Sequence, residues 1–199
     1  LTAMNALNGE LRAGAQIGDE PSLFGEYFQP FDPGARYFGF GRVAYQTKNV
    51  NSFNADGDRI AEFHARGPKV DLGVGRQFGT WGEGRLGYMR QTGDIEVATG
   101  LPAPRRDFDS GEFYVRLSDD KLDSLYFPRN GHFARAEWRV SREDFGADTD
   151  FDQVDASILV ARTWGRHTLI GGVTVNATTD GTAPIQSLNR LGGFMHLSG

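Results

Sequence analysis

The sequence has no cysteine among its 199 residues, which excludes disulfides and thiolate metal sites. It also lacks any apolar run close to the roughly 20 residues that a membrane helix needs. The best run covers only a few residues around 158–161. A helical membrane protein is therefore excluded, whereas a β-barrel is not, because only every second residue of its strands faces lipid.

Basic residues are also too few for a nucleic-acid-binding surface. Lys and Arg number 21 against 26 Asp and Glu, which gives a formal net charge of -5. The doublet Arg105-Arg106 is not a basic patch, so no nucleic-acid partner is predicted. The chain does not begin with Met and stops within a Gly-rich stretch. We therefore expect residues 1–199 to be part of a longer protein, with any signal peptide lying upstream.

Glycine and aromatic residues are plentiful, with 27 glycines and 12% aromatics. Together with short alternating runs, this composition predicts an all-β protein. We expect nine antiparallel strands in up-and-down order, forming one domain over residues 1–199. The predicted strands are 10–17, 22–30, 35–47, 59–78, 84–98, 109–122, 132–143, 151–163 and 168–178.

The segment 132–143 shows most clearly that a strand has two different faces. A soluble sandwich would turn the apolar row inward, whereas a membrane barrel would turn it to lipid. At the bilayer midplane each basic residue facing lipid would cost about 2–4 kcal/mol, so in a membrane the charged row must face the lumen. A structural network is favoured over a transport-lining row, since any barrel interior is polar. The charged row is Arg135, Glu137 and Arg139, and the apolar row is Ala134, Ala136, Trp138 and Val140.

The connections alternate in length along the chain. FDPG, GTWGEG and WGRH are tight turns, and LDSLYFPRNG is a longer one. Between them lie the polar loops KNVNSFNADGD, TGLPAPRRDF and EDFGADTD, although the short first loop, GDEP, breaks the trend. Short turns at one end and long loops at the other are typical of an outer-membrane barrel.

Aromatic side chains cluster at the end with the tight turns. An aromatic girdle at a membrane–water interface explains this cluster, and aromatic capping of a soluble sandwich explains it about equally well. These residues are Phe31, Phe78, Trp81, Tyr126, Phe127 and Trp164.

The run 122–175, LDSLYFPRNGHFARAEWRVSREDFGADTDFDQVDASILVARTWGRHTLIGGVTV, resembles the bacterial surface antigen superfamily of outer-membrane barrels. Phe127, Pro128 and Gly131 supply that family's turn motif. Further runs resemble the C-terminal barrel of patatin-like phospholipase autotransporters. They are EYFQPFDPGARYF, RQFGTWGEGRLG, FDSGEF and SLNRLGGFMHLSG. The resemblance implies a partial transmembrane β-barrel, about nine strands of a larger barrel of sixteen, preceded by a patatin domain and a small periplasmic domain.

The Gly-rich segment 188–199 matches the position of a loop that turns into the lumen in this superfamily. Outer-membrane assembly factors and two-partner translocators carry an Arg-Gly pair there, whereas this chain has Ser198 at the Arg position. This departure weakens the assignment as an assembly factor. The motif residues are Arg190, Leu191, Gly192, Gly193, Leu197, Ser198 and Gly199.

No motif predicts catalysis within this chain. The Gly-x-Ser-x-Gly nucleophile of patatin-type lipases is missing, and Asp56-Gly57 and Asp180-Gly181 are interpreted as turn pairs. The series Asp148, Asp150 and Asp152 begins like a calcium loop but lacks the required Gly and Glu, which favours a solvated acidic loop. We predict a non-enzymatic chain with no cofactor and no metal, although the parent protein is expected to carry the lipase upstream.

These observations favour the translocator or anchor barrel of a patatin-like phospholipase autotransporter in the bacterial outer membrane. Its expected partners are outer-membrane lipids, the N-terminal passenger domain of the same chain and, as a further candidate, a second barrel in a homodimer. A general outer-membrane assembly or secretion pore is one alternative. A soluble β-sandwich binding module is the other.

Overall fold

A computed structural model describes residues 1–53, 59–99, 104–184 and 187. These residues form a single antiparallel sheet in which each strand pairs with the next one along the chain. The prediction of an all-β, up-and-down sheet of nine strands is therefore confirmed. The strands are β1 Glu10–Gln16, β2 Ser22–Pro30, β3 Tyr37–Phe53, β4 Arg59–Phe78, β5 Gly82–Thr99, β6 Arg106–Asp120, β7 Gly131–Ser141, β8 Phe151–Trp164 and β9 His167–Gly181.

The sheet is open. β1 and β9 each have only one neighbouring strand, so both edges carry unpaired backbone groups in the described part of the chain. The only helical element described is a short 3-10 helix at Glu143–Phe145. Among the described residues, no helix is long and apolar enough to cross a membrane.

Three predicted strand ends differ from the structure by three residues or more, and one of them is the end of β9, which continues to Gly181 instead of ending at residue 178. β3 continues to Phe53 instead of ending at residue 47, and β6 begins at Arg106 instead of residue 109. The added part of β3 is rich in Asn, which is disfavoured in strands. It pairs with the first half of β4, from Lys48↔Ala65 to Ser52↔Ala61. Backbone pairing with a partner strand therefore overrides the low strand propensity of this segment.

The consecutive pairing places side chains in continuous rows on two faces. One row, which lies on the surface we call the apolar face, runs Leu86, Val115, Trp138 and Val154 across β5 to β8. The next row, on the polar face, runs Arg85, Arg116, Glu137 and Asp155 across the same strands.

The two faces differ in how tightly their side chains pack. On the apolar face Leu86 is 54% exposed and Trp138 is 50% exposed. On the polar face the Arg116 side chain is 22% exposed and that of Glu137 is 11% exposed. Side chains crowd on the concave side of a curved sheet and spread apart on the convex side. These values therefore indicate that the sheet curves toward its polar face.

Aromatic rings fill part of the polar face by lying over glycines on neighbouring strands. Phe38 and Tyr114 are buried, with Phe28 packed against Phe38 at 4.7 Å between ring centroids. A Cβ added to Gly87 would lie 2.6 Å from the Tyr114 ring, so only glycine leaves room for it. Close ring–backbone packing thus explains why glycine occupies positions 73, 75 and 87.

The polar loop between β7 and β8 folds back over the apolar face at one end of the sheet, which we call the loop end. The Tyr88 hydroxyl donates to the Phe145 carbonyl at 2.7 Å, and Phe113 meets the Phe145 ring edge-on at 4.8 Å. Arg90 also donates to the Gly146 carbonyl. The opposite end, which carries the tight turns, is the turn end.

Candidate functional site: the charged network of the polar face

The centre of the polar face is a network of ion pairs on β6, β7 and β8. Arg135, Glu137 and Arg139 alternate along β7, so their side chains share one face as predicted. Glu137 pairs with Arg116 on β6, contacts Arg135 at 3.1 Å and lies 3.6 Å from Arg139. One carboxylate thus draws three guanidinium groups together.

Arg139 extends the network in two directions. It bonds to Asp155 on β8 at 2.6 Å and lies 3.6 Å from Glu112 on β6. Farther along the face the Tyr114 hydroxyl donates to Asp71 at 2.8 Å, and Arg116 stacks over the Tyr114 ring at 4.9 Å. Opposite charges are interleaved across strands, which supports a structural network rather than a row of one charge.

Three of the five buried side-chain atoms that lack a hydrogen-bond partner among the described residues lie close together on the polar face. They are Glu112 Oε2, Arg139 Nε and Gln153 Oε1, and they belong to neighbouring positions on β6, β7 and β8. The amide of Gln153 donates to the Ser187 carbonyl at 3.4 Å. The chain after β9 therefore reaches the polar face beside this patch.

A recess of about 380 Å³ opens on the polar face between β7 and β9. Its charged lining comes from the β7 row and Asp155, and its uncharged lining includes Ser157, Thr174 and Asn176. The recess is shallow and wide, and its charges are already paired with one another. It therefore provides a hydrated polar surface and shows no arrangement of nucleophile and base.

The predicted turn motif lies between β6 and β7 at the turn end. Gly131 has φ of 111°, and a Cβ there would collide with the Lys121 carbonyl oxygen. Phe127 projects fully into the surroundings at 84% exposure. Asp123 accepts the Arg129 N–H at 2.8 Å, and this backbone hydrogen bond lowers the pKa of the Asp123 carboxyl.

The predicted aromatic cluster does lie at one end of the sheet. Phe31, Trp81, Tyr126, Phe127 and Trp164 are exposed in or beside the turns, and Phe78 stacks on Trp81 at 5.8 Å between ring centroids. Rings that capped the core of a sandwich would be buried, whereas these rings are exposed. The sequence analysis missed Tyr37, which joins the cluster at the start of β3.

The acidic loop uses its aspartates to hold its own backbone. Asp150 accepts the Glu143 N–H at 2.8 Å, and Asp148 accepts the Asp109 N–H at 2.7 Å. Asp152 bonds to Arg142 at 2.6 Å, which raises the pKa of Arg142. No group of three His, Cys, Asp or Glu side chains in the described ranges is arranged to hold a metal ion.

Some predicted positions fall outside the described residues. These include the whole lumen-loop motif, Arg190, Leu191, Gly192, Gly193, Leu197, Ser198 and Gly199, and also Asp56-Gly57. Of the other turn pair, Gly181 ends β9 with φ of 69°, which is the left-handed conformation expected of a turn glycine.

The main feature that sequence reasoning missed is a reversal of polarity along β4 and β5. Near the loop end Ala65 and Phe108 are buried on the polar-face side, while Arg66 and Asp94 pair at 3.2 Å on the other side. The signal was present, because apolar residues occupy odd positions from Ala61 to Ala65 and even positions from Val70 onward. A scan against protein-family models finds no match for this chain, and a search of curated proteins finds no similar sequence.

Proposed function

We propose that this chain forms part of the wall of an outer-membrane β-barrel that anchors or translocates a passenger domain. The observation that carries the proposal is the contrast between the two faces. The convex face is apolar and exposed, and the concave face is charged and ion-paired. A sheet with this curvature and polarity matches a membrane barrel, in which lipid covers the outside and water fills the inside.

The soluble sandwich explains the same contrast less well. In a sandwich the apolar face packs against a second sheet. In residues 1–53, 59–99, 104–184 and 187 the apolar face is covered only at the loop end, by the β7–β8 loop. The charged face would also have to lie in bulk water, where its crowded ion pairs contribute little to stability.

The role as an anchor for a patatin-like phospholipase rests on the resemblance of the sequence motifs to that autotransporter family. In this role the chain has no active site, and its barrel holds the lipase at the membrane. Further strands or a second chain must complete the hydrogen bonding of β1 and β9, because unpaired backbone groups cost several kcal/mol each in lipid.

The Gly-rich segment 188–199 is proposed to enter the lumen. The contact from Gln153 to Ser187 leads the chain toward the polar face just before this segment. Glu112 Oε2 and Arg139 Nε lie beside the contact, and neither makes a hydrogen bond within the described part of the chain. Glycines would allow close approach to the crowded face.

Single-cysteine labelling tests the proposal, and the absence of native cysteine makes each label unique. Thr149 lies in the exposed β7–β8 loop at the loop end, and Arg166 lies in the exposed β8–β9 turn at the turn end. In the intact protein on living cells, Thr149→Cys should react with a bulky impermeant maleimide. Arg166→Cys should react only after the outer membrane is opened.

Asn54→Cys and Ala103→Cys are expected to behave like Thr149→Cys, and Asn130→Cys like Arg166→Cys. Labelling restricted to the turn-end positions on intact cells would invert the topology. Equal labelling of all positions in a soluble extract prepared without detergent would refute the membrane proposal.

A further inference from the structure

Arg76 lies among aromatic rings on the apolar face near the turn end. Arg76 lies on the same side of β4 as Leu72 and Val74, which belong to the apolar face. Its guanidinium lies 5.4 Å from the ring centroids of both Tyr37 and Phe78. None of the carboxylates that the structure describes forms an ion pair with it.

The nearby carboxylate on the same face is already engaged. Asp119 lies 3.0 Å from the His132 ring and 3.8 Å from Lys121, and Lys121 itself stacks over Trp81 at 4.9 Å. Within the described ranges Arg76 therefore has aromatic neighbours but no carboxylate partner. In a membrane, an Arg held between aromatic rings near the strand end lies at the interface, where lipid phosphates are found.

An apolar groove of about 580 Å³ begins beside Arg76 and continues away from the turn end. Its walls are the side chains of Phe31, Tyr37, Val74, Leu86, Val115 and Leu117. Glycines keep its floor low, because Gly39 and Gly84 lie between these walls and carry no side chain. Apart from Arg76 and Arg85, the residues that line the groove are apolar or glycine.

We propose that Arg76 and this groove form a binding site for one anionic phospholipid of the leaflet at the turn end. The guanidinium holds the phosphate, and one acyl chain lies in the groove along Val74 and Leu86. This inference rests on the proposed function, since it requires the apolar face to contact lipid. Charge complementarity and the direction of the groove favour phospholipid over a protein partner, which would need polar contacts along the groove.

Native mass spectrometry of the intact protein, purified in mild detergent, tests the site. Phosphatidylglycerol is the probe, with diacylglycerol and inorganic phosphate as separate additions. We expect the protein to retain one phosphatidylglycerol and neither of the other two. Arg76→Gln should reduce the retained fraction about fivefold, since a basic residue at the surface contributes roughly 1 kcal/mol of attraction.

Arg162→Gln is the matched control, because Arg162 also lies on the apolar-face side near the turn end but does not border the groove. It should change retention by less than about twofold. If Arg76→Gln fails to fold, Val74→Trp fills the groove, leaves the cation in place and should also reduce retention.

Unchanged retention in the Arg76 variant would overturn the site, as would an equal loss in the Arg162 variant. Retention of phosphate alone would refute a lipid source. Failure of the lipid site does not contradict the barrel proposal, which cysteine labelling tests separately. If labelling shows a soluble protein, both the barrel proposal and the lipid site are refuted.

Discussion

The two halves of β4 present opposite polarity on the same side of the sheet. Toward the turn end Val70, Leu72 and Val74 occupy this side, and their β5 neighbours include Leu86 and Tyr88. Toward the loop end the same side carries His64 and Arg66, opposite Glu96 and Asp94. The pairing register is continuous from Arg66↔Asp94 to Lys69↔Gln91, so no bulge causes the change.

The difference shows where the apolar band ends. From Val70 to Phe78 the band spans nine of the 20 residues of β4, and a tilted membrane strand needs about 9–11. The β7–β8 loop covers the apolar face at Tyr88 and Phe113, which lie in register with Leu72, so the exposed apolar surface ends sooner on β5 and β6 than on β4. We therefore propose that the bilayer ends near Gly67 and that the rest of the hairpin lies in water.

The strongest test of this comparison places the same charge in both halves of β4. Leu72→Arg puts a cation in the apolar band and should lower the free energy of unfolding by about 2–4 kcal/mol. His64→Arg puts it on the same side above the band, next to Glu96, and should change stability by less than about 1 kcal/mol. Urea unfolding of the intact protein in lipid vesicles, followed by tryptophan fluorescence, measures both.

Equal and small losses in these two variants would mean that the face near Leu72 meets water. Equal and large losses would place the whole length of β4 in lipid and remove the boundary near Gly67.

The second test compares a largely buried ion-pair network at the centre of the polar face with an exposed ion pair at the loop end. Glu137 is largely buried among Arg116, Arg135 and Arg139. Glu137→Gln leaves these cations crowded without their shared carboxylate and should cost about 2 kcal/mol, less than the roughly 3–5 kcal/mol of a fully buried pair because the proposed lumen is hydrated. The same urea unfolding measurement applies.

Glu96→Gln is the matched control at the loop end. The Glu96 side chain is 41% exposed and lies 3.4 Å from Arg66, so its loss should cost less than about 0.5 kcal/mol. A cost as large as that of Glu137→Gln would show that burial does not distinguish the two networks.

The alternation of β7 was enough to predict the strand order and the grouping of Arg135, Glu137 and Arg139. A strand in which charged and apolar residues alternate places the two kinds on opposite faces. Tight turns join strands that pair with each other as neighbours. The aromatic turn residues were likewise placed correctly, since each follows directly from its position in a turn.

Other features depended on contacts between distant residues and were not predicted. The strand that contains Phe38 and Phe40 shows no clear apolar side in the sequence. The glycines over which these rings pack lie on β4, far along the chain, so local pattern does not reveal which side is covered. The packing of Phe145 on Phe113 joins the β7–β8 loop to β6, and no local sequence pattern indicates this contact. The end of β3 at Phe53 depends on the length of β4, and local composition does not indicate it.

The smallest effect is expected at the turn end, outside the apolar band, where carboxylates are in contact with the bulk solution. The backbone N–H of Arg129 donates to Asp123 and lowers the pKa of this carboxyl below the ordinary aspartate value of 3.8. The folded pKa is the lower one, so the charged carboxylate stabilises the turn above about pH 4. This contribution disappears as the pH falls through the folded pKa.

Asp123→Asn should therefore weaken the turn at neutral pH and make no further difference in strong acid, where wild-type Asp123 is neutral too. The amide proton shift of Arg129, followed by NMR in detergent micelles, should titrate with a midpoint below 3.8 and lose this titration in the variant.

Asp32 in the β2–β3 turn is the internal comparison. It accepts the Tyr37 N–H at 3.0 Å, which lowers the pKa of its carboxyl in the same way. A midpoint at or above the ordinary aspartate value would mean that the Asp123 carboxylate does not hold the turn, which would then depend on Gly131 and on the hydrogen bond from Thr163 to the Arg129 carbonyl.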